Sequence, residues 1–451
     1  MIYKKTLPWK NLLDIPQGLI DSDKDGVFEN LKLPWEGVQN KPSAYRPYDA
    51  IYIPKNPIAY FKDSLVDVLR GIKPEGYDES TKTDYGLRTA TDADGNLLLV
   101  VTERMDDTPF PGVKSFAVEE GTENLQASEY TLNHTSEVTI EQIDDGKLGH
   151  YKVSVPAGTY DYNPKVWFTP NASLTAGKTY TSSLYVRWIK GYTSSAYVWL
   201  NSATGGGNGA DSTTKKKPRD GRAYTVFSGL AVDGEFGVSL IFPKTLTEDL
   251  IVEIWEPQLE QKPFATSFVD GSRTTGRFYI PLENLGFDPA NDDWVIAYWK
   301  KPTGTNSGWS GFNIFAIGKY SSDYSEGYIW VGKDANYDRL ALHVVHDDEL
   351  THVTNDADYP ADYLTAWHFE VLRKTDGVVD YFLDCKKVLS VAYTTMPAFK
   401  DGIWVGRWAG GISNMLVANL LMSKATDENG NLIWTDDYIR QVYELQRPFI
   451  I

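Results

Sequence analysis

Along most of the chain, apolar and polar residues alternate with a period of two, and Gly, Pro, Asn or Asp closes each short run. From about residue 115 the runs are GHYKVSVPAG, KVWFTPN, KTYTSSLYVRWIKG, SSAYVWLNS, AYTVFSGLAV, GVSLIFPK and IVEIWEP. Period two sends successive side chains to opposite faces of a strand, and such spacing is that of a β-sandwich. Pro257 has no amide proton for a ladder, so the last strand is predicted to stop at Glu256, with PQLEQKPFATSFVDG as its exit. From about 272 a second series runs through RFYIPL, DWVIAYWKKP, FNIFAIGK, GYIWVGK, DRLALHVVH, AWHFEVLRK, VVDYFLDCKKVLSVAY, GIWVGRW and SNMLVANLLMSKA, enough strands for a second sandwich. Asp376-Gly377 between alternating runs predicts a tight hairpin. TDDYIRQVYELQ changes the period, with Thr435 and Asp436 as caps and Ile439, Val442 and Tyr443 at helical spacing, and predicts one closing helix.

The first 114 residues break this pattern. Stretches such as KLPWEGVQNKPSAYRPYDAIYIPKNP are punctuated by proline, which pushes the preceding residue toward extended or turn conformations. AYFKDSLVDVLRGI sets Phe61, Leu65, Val68 and Leu69 on one stripe and predicts a helix stopped by Gly71. LLLVVTERM follows an Asp-Gly turn and reads as a strand. The predicted division is an irregular N-terminal docking region, 1–114, and two sandwiches, 115–271 and 272–451.

Composition narrows the function classes. The formal charge of −17 argues against a general nucleic-acid binder, which needs a basic surface. Cys385 is the single cysteine, so an intrachain disulfide or a cysteine-based zinc cluster has no partners to use. No segment approaches the roughly 20 apolar residues of a membrane span, and the opening MIYKKTLPWKNLLDIPQ lacks a signal-length apolar run. The expectation is a protein folded where it is made, without membrane insertion.

Several clusters carry candidate chemistry. In DSDKDGVFEN, Asp21, Asp23, Asp25, Val27 and Glu29 stand at alternate positions around Gly26, the spacing with which oxygen ligands wrap Ca2+. Lys32 occupies the place of the usual bidentate glutamate, so a full EF-hand is excluded, and a plain acidic turn explains the run as well. His343 and His346 sit three apart on one strand and so face opposite ways, which sets a shared zinc aside, with His352 as a further surface or pocket-rim histidine. The insertion NSATGGGNGADSTTKKKPRDGR reads as a solvated loop by composition, with an anion-binding loop as the alternative. If Leu184, Val186 and Trp188 face the core, Tyr185 and Arg187 face out. By the same parity Tyr197 and Trp199 face out of the following strand. Rings beside an arginine suit a sugar, whose apolar C–H face stacks while its hydroxyls take hydrogen bonds; a second burial layer is the alternative. Trp309 and Trp408 raise the same question in the second series, with Tyr320 and Tyr324 near them.

Four segments carry a resemblance. AVEEGTENL (117–125), GKTYTSSLYVR (177–187), AYTVFSGLAV (223–232) and VEIWEPQLEQKPFATSFV (252–269) resemble a jelly-roll, carbohydrate-binding-type module of phage structural proteins. DDWVIAYWKKP, TAWHFEVLRKTDGVVDYFLDCKKV with its Trp367-His368, GIWVGRW and DDYIRQVYE resemble a laminin G-like, concanavalin A-type lectin domain, with Cys385 where the family has glycine. The resemblance implies an all-β chain: a jelly roll, then a concanavalin A-like sandwich, behind an N-terminal segment docked on other virion proteins. It further implies a virion-surface protein made in the host cytoplasm, a trimer by analogy with fibres, attached non-enzymatically to host glycans. The alternatives are a purely structural head or tail protein and, on the lectin-like sheet, a glycan depolymerase. The last needs closely spaced facing carboxylates, which no strand of the second series displays; the acids of HVVHDDELTH are adjacent in a turn.

Overall fold

The computed structural model describes residues 59–60, 65–66, 87–91, 97–104, 107 and 115–447, apart from 127–128, 203–211, 286, 305–311, 320–323, 335–338, 355–358, 409–410 and 428. It is an all-β chain built as two sandwiches, with one α-helix, Asp436–Gln446, capped by the Thr435 hydroxyl accepting from the Tyr438 amide.

The jelly roll faces a six-stranded sheet against a five-stranded one. The six-stranded order is Ser212–Lys216, Asp220–Phe227, Tyr180–Lys190, Leu250–Glu260, Tyr151–Val155, Thr139–Gln142. In the other sheet Gly234–Ile241 is central. It pairs along one edge with Lys165–Thr169 and Ala172–Leu174, and along the other with Tyr197–Ser202, while Thr131–His134 lies outside Lys165–Thr169. The alternation does what it predicts: Val153, Leu184, Val186, Val252 and Ile254 from one sheet meet Val166, Phe168, Val198, Val238 and Leu240 from the other in one core. Each such side chain contributes about 1.5–3 kcal/mol by leaving water.

Leu250–Glu260 does not stop at Glu256. Its register against Tyr180–Lys190 slips between Ser183 and Tyr185, a bulge at which Glu256 takes φ 51°, so Pro257 enters the strand without breaking its pairing. The strand therefore runs on through Gln258, Leu259 and Glu260, all three fully buried, Leu259 in the core and Gln258 and Glu260 toward the segment 266–269.

The C-terminal sandwich is one large sheet folded on itself, running Glu349–Thr354, Arg339–His346, Ile329–Asp334, Phe312–Ile317, Ile403–Val405, Arg277–Ile280, Leu97–Arg104, Ser115–Val118, Met415–Lys424, Trp294–Pro302, His368–Thr375, Val378–Leu383, Lys386–Ala392. Two interior strands, 97–104 and 115–118, thus precede the jelly roll in sequence, and strand pairing crosses the boundary expected at 114/115. The jelly roll is an insertion between them and Arg277–Ile280. Asp376-Gly377 makes the predicted hairpin, with both residues at positive φ. The helix predicted across AYFKDSLVDVLRGI is replaced where the chain is described: Ala59–Tyr60 and Leu65–Val66 pair antiparallel, and Tyr60 adds to Met415–Lys424 at Leu421. Pairing with a distant strand has overridden local periodicity, as tertiary context does for weak helix signals.

At the neck, Thr122–Glu123 pairs with Ser272–Arg273. The opening and closing motifs meet there in one polar knot. Glu119, 2% exposed, lies 3.1 Å from Arg273 and 3.6 Å from Arg104 and accepts from the Ser267 amide. Glu260 accepts from the Thr122 and Thr266 hydroxyls, and Asn124 ties the Leu259 amide to the Pro257 carbonyl. Charges this buried need partners: Glu119 has two arginines, and Glu260 has two hydroxyls and the Thr266 amide.

Candidate functional site

Tyr185 and Arg187 project from the outer face of the six-stranded sheet. Cross-strand neighbours occupy both sides of the Tyr185 ring: Trp255 stacks at 5.5 Å with an interplanar angle of 8°, and the Arg222 guanidinium lies 4.8 Å away. Lys147 covers Trp255 at 4.5 Å, which completes a ladder of cation, ring, ring, cation. Arg187 is held by Glu253. His150, 3% exposed, donates to the Asp145 carboxylate at 2.8 Å and lies against Trp255. Loss of water pushes the Asp145 carboxyl up, but bonds from His150 and from the amide and ammonium of Lys147 outweigh it and bring it down to about 2.

Tyr197 and Trp199 belong to the other sheet. The two strands are consecutive in sequence, yet they lie on opposite sides of the sandwich, so the four residues do not form the single platform their parity suggests. The two sheets meet at a corner, where Ser182 donates to the Trp199 carbonyl and Thr225 to the Val198 carbonyl. The outer face of the five-stranded sheet instead brings in Trp167, which the sequence reading passed over. Trp167 and Trp199 are both registered with Ser239, one on each side, two strand spacings or about 10 Å apart. Ser239 is fully buried beneath that row. Tyr197 extends it, edge-on to Trp199 at 5.5 Å, and Trp199 packs edge-on to Phe227 at 4.9 Å. Lys165 stands 5.2 Å over Trp167 and donates to Asn201, while Lys215 stands 4.2 Å over Tyr197 and 4.8 Å over Trp199. Among the described residues no second ring stacks on Trp167.

The lysine-rich insertion is partly a strand: Ser212–Lys216 pairs with Asp220–Phe227 and delivers Lys215 to these rings. Past Tyr197 the row opens into a shallow cleft lined by Trp188, Tyr192, Tyr197, Lys217 and Pro218.

The calcium-type residues Asp21, Asp23, Asp25, Val27 and Glu29, and Trp309, lie outside the described residues. Trp408 sits in the short strand Arg407–Trp408, paired with Gly411–Ile412. His343 and His352 are cross-strand partners with ring centroids 3.9 Å apart; His346 turns away to Asp347 and Thr351. Among the described residues no three metal-ligating side chains converge. Glu370 and Lys300 form a pair 2.6 Å apart with neither side chain exposed. Tyr298, Tyr363 and Tyr381 all donate to that carboxylate. Burial and then the carboxylate raise all three phenols well above their ordinary value, and burial lowers Lys300.

No family model and no curated protein sequence matches the chain. Among solved structures, it is similar to the heptameric SAP-like pentraxin of Limulus polyphemus at 12% identity and a TM-score of 0.24, over 35% of this chain and 71% of that one. The CBM40 of a Ruminococcus gnavus IT-sialidase, bound to α2,3-sialyllactose, gives 11%, 0.23, 34% and 84%. Mouse laminin α1 domains LG4-5 give 13%, 0.24, 66% and 91%. Values this low carry no functional inference for this chain.

Proposed function

We propose that this chain is a non-enzymatic adhesion protein of the phage particle surface, which holds host glycans on the outer face of its five-stranded sheet. The observation that carries the reading is the row Trp167, Ser239, Trp199, Tyr197. Indoles spaced across a rigid sheet give sugar rings apolar faces to stack on, with Asn201 and lysines beside them as hydrogen-bonding groups. Single contacts of this kind are weak, and a trimer gains by effective concentration what one face lacks. The virion assignment is supported by the motifs of the neck, AVEEGTENL and QLEQKPFATSF, whose polar residues bond to one another there. A non-enzymatic role is supported at Glu370, whose carboxylate is enclosed and taken up by three phenols and an ammonium, out of reach of a substrate.

The test is retention of the full chain on an array of host-surface glycans, with Trp167→Ala and Trp199→Ala beside it. Loss of retention in folded variants is the expected result. Retention unchanged in both overturns the assignment of this face, and lost particle assembly with unchanged retention turns it into a structural contact. Immunogold imaging of particles tests location, and unlabelled particles would end the virion reading.

A further inference from the structure

Basic side chains on the two outer faces of the jelly roll are treated differently. On the outer face around Tyr185 four cations have an acid: Lys147 with Asp145 at 3.2 Å, Lys152 with Glu141 at 3.1 Å, Lys190 with Asp249 at 3.0 Å, and Arg187 with Glu253, while Arg222 is met by the Ser183 hydroxyl. On the five-stranded side Lys165, Lys215 and Lys217 form no ion pair among the described residues. Their contacts are rings, one amide oxygen and one carbonyl: Lys165 to Trp167 and Asn201, Lys215 to Tyr197 and Trp199, Lys217 to the Ser194 carbonyl and, at 5.7 Å, to Tyr197. Two ammonium groups thus share one phenol ring. Burial and then the neighbouring Lys217 lower the Lys215 ammonium below its ordinary value.

Each of these ammonium groups keeps donors for a ligand, since a lysine has three and the contacts above take few of them. A cation over a ring also fixes where an anion must sit, on the solvent side of the ammonium, level with a sugar lying on the neighbouring indole. Beyond Tyr197, Arg219 stands 5.6 Å over Tyr192, so positive charge continues along the cleft at the end of the row.

Building on the glycan reading above, we propose that this face takes an acidic glycan, its sugar rings on Trp167 and Trp199 and its carboxylate, sulfate or phosphate groups against Lys165, Lys215 and Lys217. The overall charge of −17 repels such a polymer from most of the surface, so attraction confined to one face also orients the encounter.

The experiment uses the full chain on matched pairs of immobilised glycans, each a neutral backbone and the same backbone bearing uronate, sulfate or phosphate, with polyglutamate as a sugar-free polyanion. The expected result is retention of the acidic members at least tenfold above their neutral counterparts at low salt, released as salt rises and the Debye length shrinks. The double variant Lys215→Gln/Lys217→Gln, at exposed and half-buried positions, should remove the tenfold advantage of the acidic members over their neutral counterparts. Equal retention of both members of each pair, with the double variant unchanged, overturns the acidic specificity and leaves the glycan reading standing. Polyglutamate held as well as the acidic glycans overturns it too, because the rings would then have no part. Retention of no glycan overturns both readings.

Discussion

The two outer faces of the jelly roll carry the same kinds of side chain and differ in what stands against them. On the six-stranded sheet Tyr185 and Trp255 stack on each other and are capped by Arg222 and Lys147; Lys147 and Arg187 have carboxylates, and Arg222 has the Ser183 hydroxyl. On the five-stranded sheet Trp167 and Trp199 are held apart by Ser239, the smallest side chain in the row, and the lysines over them have no acids among the described residues. An outward aromatic is therefore not a binding platform by itself. A ring whose faces are used by neighbours is part of the packing, as at Tyr185 and in part at Trp199, which meets Phe227, Tyr197 and Lys215; a ring with no second ring against it among the described residues, as at Trp167, still has surface to give.

That contrast fixes what substitutions should do. Trp255→Ala opens the closed ladder and should cost about 2–3 kcal/mol of stability, below the 3–5 of a fully enclosed tryptophan, with glycan retention unchanged; denaturant unfolding and the array measure the two effects. Trp167→Ala should do the reverse, losing about tenfold in retention, or about 1.4 kcal/mol, while the unfolding midpoint stays in place. If instead it unfolds the chain, the open face is packing too and the contrast disappears.

Smaller effects sharpen the comparison. Asp145 lies on the closed face and is held at about 2 against an ordinary 3.8. A carboxyl with a depressed folded value stabilises the fold above its unfolded value, and that contribution fades as pH falls from 3.8 toward 2. The side chain is 36% exposed, so solvent screening keeps the effect under about 1 kcal/mol. Asp145→Asn should therefore narrow its stability gap to the parent between pH 4 and 2 in acid unfolding curves, and a gap that stays constant would detach Asp145 from the ladder. Arg187→Ala removes an exposed ion pair and should cost about 0.5 kcal/mol or less, with retention unchanged; lost retention would return that face to the list of binding surfaces.

Much of the architecture is legible in the residues, because alternation, the Asp376-Gly377 turn and the Thr435 cap are local signals. Half of the proposed site is legible for the same reason. Tyr197 and Trp199 stand opposite Val198 and Leu200 by parity alone. Trp167 has the same signature between Val166 and Phe168, but nothing local says that its strand lies two places from Tyr197–Ser202, because Gly234–Ile241, much later in the chain, comes between them. The tyrosine and arginine of the closed face mislead for a related reason: the bulge at Glu256 sets which residues oppose Tyr185, and Pro257 signals a stop where the structure has a slip. LLLVVTERM reads as a strand, but nothing local marks that Leu97–Arg104 and Ser115–Val118 pair with strands beyond the whole inserted module.

The insertion of the jelly roll has a mechanical meaning. A module hung on one linker swivels when pulled, and its anchor bears the load at a single point. Here the chain enters from Ser115–Val118, leaves toward Arg277–Ile280, and the two passages are zipped together at Thr122–Glu123 and Ser272–Arg273. Tension on the module is divided between two covalent routes into the same sheet, with the Glu119 ion cluster resisting their separation. The link is a two-strand bracket rather than a single tether.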